Sequence, residues 1–171
     1  MFTQLYLSPI GQLLLTSDNT ALVALHFYDE GRSCLLSNDE ACNNHAILQA
    51  ARHWLDVYFS GQEPSFMPPL RPVGTDFQQE VWQLLRAIPY GKTTTYGEIA
   101  AALAARHGIP RMSAQAVGGA VGRNPIPIFI PCHRVVGSGG KLTGYSGGLG
   151  KKQFLLSNEH IVLPHYSAIL P

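Results

Sequence analysis

The chain has 171 residues, 46% of them apolar and only 13% charged, with a formal net charge of +1. That length accommodates one full-sized core or two small domains, and the composition is that of a globular chain rather than a fibrous or disordered one. No apolar run approaches the roughly 20 residues a membrane-spanning helix needs, which argues against a membrane protein. The small net charge hides an asymmetry. Residues 1–70 carry two basic and seven acidic side chains, and residues 71–171 carry ten and four, so the halves hold −5 and +6. A basic half beside an acidic one points to a polyanionic partner for the basic half.

The first half reads as strands followed by a helix. Phe2–Leu7, Gln12–Thr16 and Ala21–Phe27 are apolar runs separated by Ser8-Pro9-Ile10-Gly11 and Ser17-Asp18-Asn19, which predicts a three-stranded antiparallel meander. Residues 29–44 are polar and aperiodic, and are expected to be loop. Ile47, Ala50, Ala51, Trp54, Leu55 and Tyr58 recur at helical spacing, and Ser60-Gly61 closes that helix. Residues 61–74 hold Pro64, Pro68, Pro69, Pro72 and Gly74, and read as a linker between two domains, 1–72 and 73–171.

Three helices open the second half. Thr75-x-x-Gln78 is a capping box before Phe77, Val81, Leu84, Leu85 and Ile88, a single apolar stripe that stops at Pro89-Tyr90-Gly91. Thr95-x-x-Glu98 opens a second helix over 96–106, and Ser113 caps a third over 114–122. The last two, joined by His107-Gly108-Ile109-Pro110, have the form of a helix-turn-helix. The third helix, Ala114-Gln115-Ala116-Val117-Gly118-Gly119-Ala120-Val121, lacks bulk. Two glycines cost roughly 1 kcal/mol each against alanine in a helix. Such a face suits either tight internal packing or close approach to a nucleic-acid groove. Arg111 and Arg123 flank it and are placed to pair with phosphates.

The remaining segment carries the chemistry. Ile126–Ile130 is apolar with prolines on both sides and is expected to enter the interior extended, delivering Cys132 to a pocket. A cysteine reacts as thiolate, and His133 and Arg134 follow it directly as proton acceptor and positive charge. Residues 137–150 hold seven glycines, a loop able to bring backbone donors and acceptors close to a planar ligand. Residues 151–159 read as a helix, and Glu159, the one acidic residue after Glu98, is the candidate to orient His133. Cys34 and Cys42 form no CxxC and no zinc spacing, so they are read as structural or incidental, with no metal site. Three cysteines and no basic N-terminal region favour reduced thiols in a cytoplasm. Redox chemistry lacks a resolving cysteine, and a cysteine hydrolase usually separates its Cys from its His in sequence.

Pro131-Cys132-His133-Arg134-Val135 resembles the active-site motif of the O6-alkylguanine-DNA alkyltransferases, the methylated-DNA–protein-cysteine methyltransferases. Ala116-Val117-Gly118-Gly119-Ala120 and Asn124-Pro125 lie upstream at that family's spacing, and Thr143-Gly144-Tyr145-Ser146-Gly147-Gly148 and Leu155-Leu156 to Glu159 lie downstream. The resemblance implies an α+β fold. It comprises a small ribonuclease H-like N-terminal domain (an antiparallel sheet with a helix) and a mostly helical, winged-helix-like C-terminal domain with the helix-turn-helix. It implies DNA repair by direct reversal: a base is flipped from the minor groove of double-stranded DNA, and Cys132 takes the alkyl group from O6-alkylguanine, with O4-alkylthymine a second candidate substrate, once per molecule. By resemblance His133 is the base acting through water, Glu159 holds the histidine, and Asn124 braces the turn before the active-site strand. Tyr96 crowds the target phosphate, and its hydroxyl is a candidate donor to guanine N3. Val135, Tyr145 and Ser146 form the substrate pocket. The helix with Ala116, Gly118 and Gly119 enters the groove. Gln115 stands where relatives carry an arginine that fills the gap left by the flipped base. The family implies no cofactor, a monomer, and a cytoplasmic protein, nucleoid-associated in a prokaryote.

Overall fold

A computed structural model describes residues 1–28 and 45–164. The loop expected over 29–44, with Cys34 and Cys42, lies outside the described residues. The chain divides into two compact units, Met1–Val73 and Gly74–Pro171.

In the first unit, β1 (Phe2–Ser8), β2 (Gly11–Ser17) and β3 (Leu22–Phe27) form an antiparallel sheet in the order β1-β2-β3. Ser8 pairs with Gly11, so Pro9-Ile10 is a two-residue hairpin, and Gly11 takes the positive φ of 105° that the turn demands. Helix α1 (Ala46–Phe59) buries Leu48, Ala51, Trp54, Leu55 and Tyr58. The Tyr6 hydroxyl donates to Asp56 across 2.8 Å, and Tyr6 stacks on Phe59, tying β1 to the helix. The segment 61–74 is more than a linker. Leu22 N–H donates to the Pro69 carbonyl and Arg71 N–H to the Leu22 carbonyl, a parallel bridge of Leu70 to β3. Arg71 also pairs with Asp18. The free edge of β3 supplies these partners, and no local sequence signal reports them.

In the second unit, α2 (Asp76–Arg86) and α3 (Tyr96–His107) each begin with a complete capping box, Thr75/Gln78 and Thr95/Glu98. Gly108, left-handed at φ 63°, ends α3. Ser113 caps α4 (Ala114–Gly122) through Ala116 N–H. Helix α4 turns Val117, Ala120 and Val121 inward and packs against α2 and α3. Trp82 of α2 donates its indole N–H to the Ala120 carbonyl at 2.9 Å in the core. Two short strands, β4 (Thr94–Thr95) and β5 (Val135–Val136), pair in parallel, which brings the cysteine segment beside the start of α3. Helix α5 (Leu149–Asn158) begins two residues before the predicted start and stops one short of Glu159, which is its C-cap.

The run 126–130 is fully buried, but it is a tight turn, not an extended strand. Ile130 N–H donates to the Ile126 carbonyl at 2.9 Å, and Ile128 sits at φ 75°. A β-branched residue in that region costs roughly 1–3 kcal/mol and persists only where its surroundings fix it. Here burial and Asn124 do so.

Candidate active site

Asn124 follows α4 and holds the turn from inside. Its Nδ2 donates to the Ile130 carbonyl at 2.7 Å, and its Oδ1 accepts from Ile126 N–H at 3.0 Å. The chain then enters a single 3₁₀ turn, Cys132–Arg134, rather than a strand. Three consecutive side chains consequently point in different directions. Cys132 opens into a cavity of about 770 Å³. His133 and Arg134 turn away, toward the end of α5.

His133 is fully buried, and its Nε2 lies 2.6 Å from Glu159 Oε1. Burial pushes the Glu159 carboxyl up, but the bonds and charges of His133 and Arg134 outweigh this and hold it at about 2. Glu159 is therefore a carboxylate, an acceptor only, and His133 Nε2 carries the proton it donates. Burial pushes the His133 pKa down. Glu159 opposes that shift, and the charges of Arg134 and Lys152 reinforce it. The imidazole is neutral at physiological pH, with Nδ1 as its basic nitrogen.

The thiol itself departs from expectation. Burial pushes Cys132 up to about 11, against the bond from Asn124 and the charge of Lys152. Proximity in sequence to His133 and Arg134 suggested a thiolate, yet Arg134 is spent on Glu159 and on the Ile88 carbonyl. The resting group is a thiol whose proton must be removed.

Lys152 escaped the sequence reading. It is fully buried in α5, and its ammonium donates to the carbonyls of Val135 (2.6 Å), Thr143 (2.5 Å) and Gly144 (3.1 Å). It thereby ties the glycine-rich loop to β5. Its own pKa falls to about 8, because burial disfavours the cation; a thiolate at Cys132 opposes that fall. Nothing in Lys151-Lys152 distinguishes the buried lysine from its half-exposed neighbour.

The cavity brings together Cys132, Tyr96 of α3, Gln115 and Gly118 of α4, and Tyr145 and Ser146 of the loop. Burial raises the Tyr96 hydroxyl pKa, so it stays protonated and able to donate. Val135 does not line the cavity. It is fully buried in β5, where pairing with β4 draws it into the core. Ala116, Gly119 and Arg123 line a second cleft of about 490 Å³ beside Thr75 and Phe77 at the start of α2. Gln115 borders both. Arg111 is exposed ahead of α4 and borders neither. A methyl group added at Gly118 would lie 3.8 Å from Tyr96, an ordinary contact, and one at Gly119 would meet only the tip of Arg123. Internal packing therefore does not require a glycine at 118, and at 119 the tip of Arg123 would have to give way. No group of three or more potential metal-ligating side chains occurs among the described residues, and no helix there is long and apolar enough to cross a membrane.

Residues 1–72 match the ribonuclease-like domain of 6-O-methylguanine DNA methyltransferase, and residues 76–161 match its DNA binding domain. A methylated-DNA–protein-cysteine methyltransferase of Methanosarcina acetivorans is 45% identical over 159 residues, 93% of this chain and 98% of the relative. One from Mycobacterium leprae is 45% identical over 161 residues, 91% of each. The crystal structure of Mycobacterium tuberculosis OGT in complex with DNA superposes with a TM-score of 0.78 at 41% identity, covering 93% of this chain and 92% of that one. With both halves matched in order and relatives aligned nearly end to end, the chain belongs to the 6-O-methylguanine DNA methyltransferase family.

Proposed function

We propose that this protein repairs DNA by transferring the alkyl group of O6-alkylguanine to the sulfur of Cys132. The observation that carries the reading is the division of labour around one 3₁₀ turn. Cys132 opens into a cavity walled by α3, α4 and the glycine-rich loop, while the His133–Glu159 pair lies behind it. The cavity volume, about 770 Å³, suits a small-molecule or nucleobase ligand.

An O6-alkyl group lies inside the duplex stack, so the nucleotide leaves the stack first, at a cost of a few kcal/mol. The outward face of α4 supports this step. Its glycines offer no bulk, and internal packing leaves room for a Cβ at Gly118, so the helix can lie close to a minor groove. The basic second half adds sequence-independent attraction to phosphate.

In the cavity the Cys132 thiol gives its proton, through water, to Nδ1 of His133. The sulfur lone pair forms a bond to the alkyl carbon, and the carbon–O6 bond breaks. Its electron pair passes into the guanine ring, and the Tyr96 hydroxyl is the candidate donor that neutralises N3. The Lys152 ammonium favours the transient thiolate. The imidazolium formed on His133 is balanced by Glu159. The product is a thioether, whose carbon has no leaving group that water displaces at neutral pH. Each molecule therefore acts once, as a monomer on one lesion, in the compartment that holds the DNA.

Incubating the protein with a duplex containing O6-methylguanine and mapping its peptides by mass tests this directly. The expected result is one methyl group, on the peptide bearing Cys132, with guanine restored and no transfer by Cys132→Ser. A methyl group on Cys34 or Cys42, or sustained turnover, would overturn the reading.

A further inference from the structure

The Glu159 carboxylate is enclosed by donors. Oε1 accepts from His133 Nε2 (2.6 Å) and Arg134 Nη2 (3.1 Å), and Oε2 accepts from Arg134 Nε (2.8 Å) and Gly91 N–H (3.2 Å). Arg134 Nη1 donates onward to the Ile88 carbonyl at 2.7 Å, and its guanidinium lies 5.7 Å from the Tyr90 ring centre. Arg134 is thus the next residue but one to the nucleophile, yet it reaches the turn after α2 and the end of α5, not the cavity.

We infer that Arg134 is a positioning residue that keeps His133 a neutral base, by sharing the Glu159 charge and fixing that carboxylate in the plane of its fork. The inference rests on the reading of His133 as the base.

A buried histidine bonded to a lone carboxylate tends to become a fixed imidazolium, because the ion pair supports the charged ring. An imidazolium has no basic nitrogen and cannot accept the Cys132 proton. The charged groups acting on His133 are Glu159, which favours protonation, and Arg134 and Lys152, which oppose it. The neighbouring Cys132 is kept as a neutral thiol by burial. Lys152 donates to three carbonyls, whereas Arg134 bonds the carboxylate itself. Two carboxylate oxygens in a fixed plane match a guanidinium fork, and an ammonium in its place holds the charge but not the plane.

The test is the pH dependence of single-turnover methyl transfer in wild type, Arg134→Gln and Arg134→Lys, with His133 followed independently by imidazole nitrogen NMR. The expected wild type keeps His133 neutral, protonated on Nε2, down to pH values below the usual histidine range. In Arg134→Gln the acid limb of the rate moves up by about one pH unit or more, together with the His133 titration. Arg134→Lys lies between the two. Should Arg134→Gln not fold, Arg134→Lys decides by the same readout. A folded variant whose rate falls by one factor at every pH, with the His133 titration unmoved, would overturn the inference, as would an imidazolium at pH 7 in wild type. Loss of transfer to Cys132 in wild type itself would instead remove the proposed function.

Discussion

His133 Nε2 donates to Glu159 Oε1 across 2.6 Å, with both side chains withdrawn from solvent. The pair joins the 3₁₀ turn of the cysteine motif to the C-cap of α5, and it makes the second unit sensitive to acid. Glu159 titrates at about 2, against 4.5 for an ordinary glutamate. Its contribution, about 3 kcal/mol at 1.36 kcal/mol per unit, is complete above the unfolded value and is lost as pH falls from 4.5 toward 2. His133 acts with the same sign. Its pKa is lowered on folding, so below the ordinary 6.5 the unfolded chain binds the proton first and gains on the native state. Melting temperature should therefore fall steadily from pH 6.5 to 3, and Glu159→Gln should be less stable at neutral pH but flatter between pH 4.5 and 3. Calorimetry across that range measures both, and a wild-type melting temperature independent of pH contradicts the assignment.

Lys152→Met should loosen the glycine-rich loop selectively. The substitution keeps the side-chain volume and removes the cost of burying a cation, but it leaves three carbonyls without their donor. The net destabilisation is on the order of 1–3 kcal/mol. Amide hydrogen exchange over residues 137–148 should accelerate far more than in α2 or α3. Methyl transfer should slow as well, since the thiolate loses a supporting charge. Uniform exchange across the second unit would mean that Lys152 serves the whole core and not the loop.

The limits of the sequence reading follow from the range of each interaction. The starts of α2, α3 and α4 are legible, because Thr75/Gln78, Thr95/Glu98 and Ser113 act within three residues of themselves. The meander was legible from its turn residues. What the sequence hid was set at long range. Arg134 reaches Ile88 and Glu159, 46 and 25 residues away. Lys152 is one of two adjacent lysines, and only folding chooses which is buried. The prolines around 126–130 exclude a regular helix or central strand and so suggest an extended run, yet Ile128 is held at a positive φ by a site that Asn124 braces. The protonation of the thiol is hidden for the same reason: sequence shows neighbouring charges but not burial, and burial is the larger effect at Cys132.

Gly118→Ala separates stability from function. The new methyl group meets Tyr96 at 3.8 Å, which is ordinary contact, and alanine gains up to about 1 kcal/mol over glycine within a helix. The urea midpoint should rise or hold. Affinity for duplex DNA, followed by fluorescence anisotropy, should fall, because the outward surface of α4 moves away from the groove. A more stable variant with undiminished affinity would show that this face does not approach DNA.

Gln115 offers the sharpest separation of base extrusion from chemistry. It is exposed on the first turn of α4 and borders both the Cys132 cavity and the cleft beside α2. A side chain there can fill the space a flipped nucleotide leaves without touching the reacting atoms. Gln115→Ala should therefore slow methyl transfer from duplex DNA by about tenfold, since filling the stack offsets part of an unstacking cost of a few kcal/mol. Reaction with free O6-methylguanine base, which requires no unstacking, should be unchanged. Because glutamine is neutral, the dependence of DNA binding on salt should also keep its slope. Parallel rate measurements on the duplex and the free base decide the matter: equal losses on both would place Gln115 in the cavity chemistry, and no loss on the duplex would remove it from extrusion.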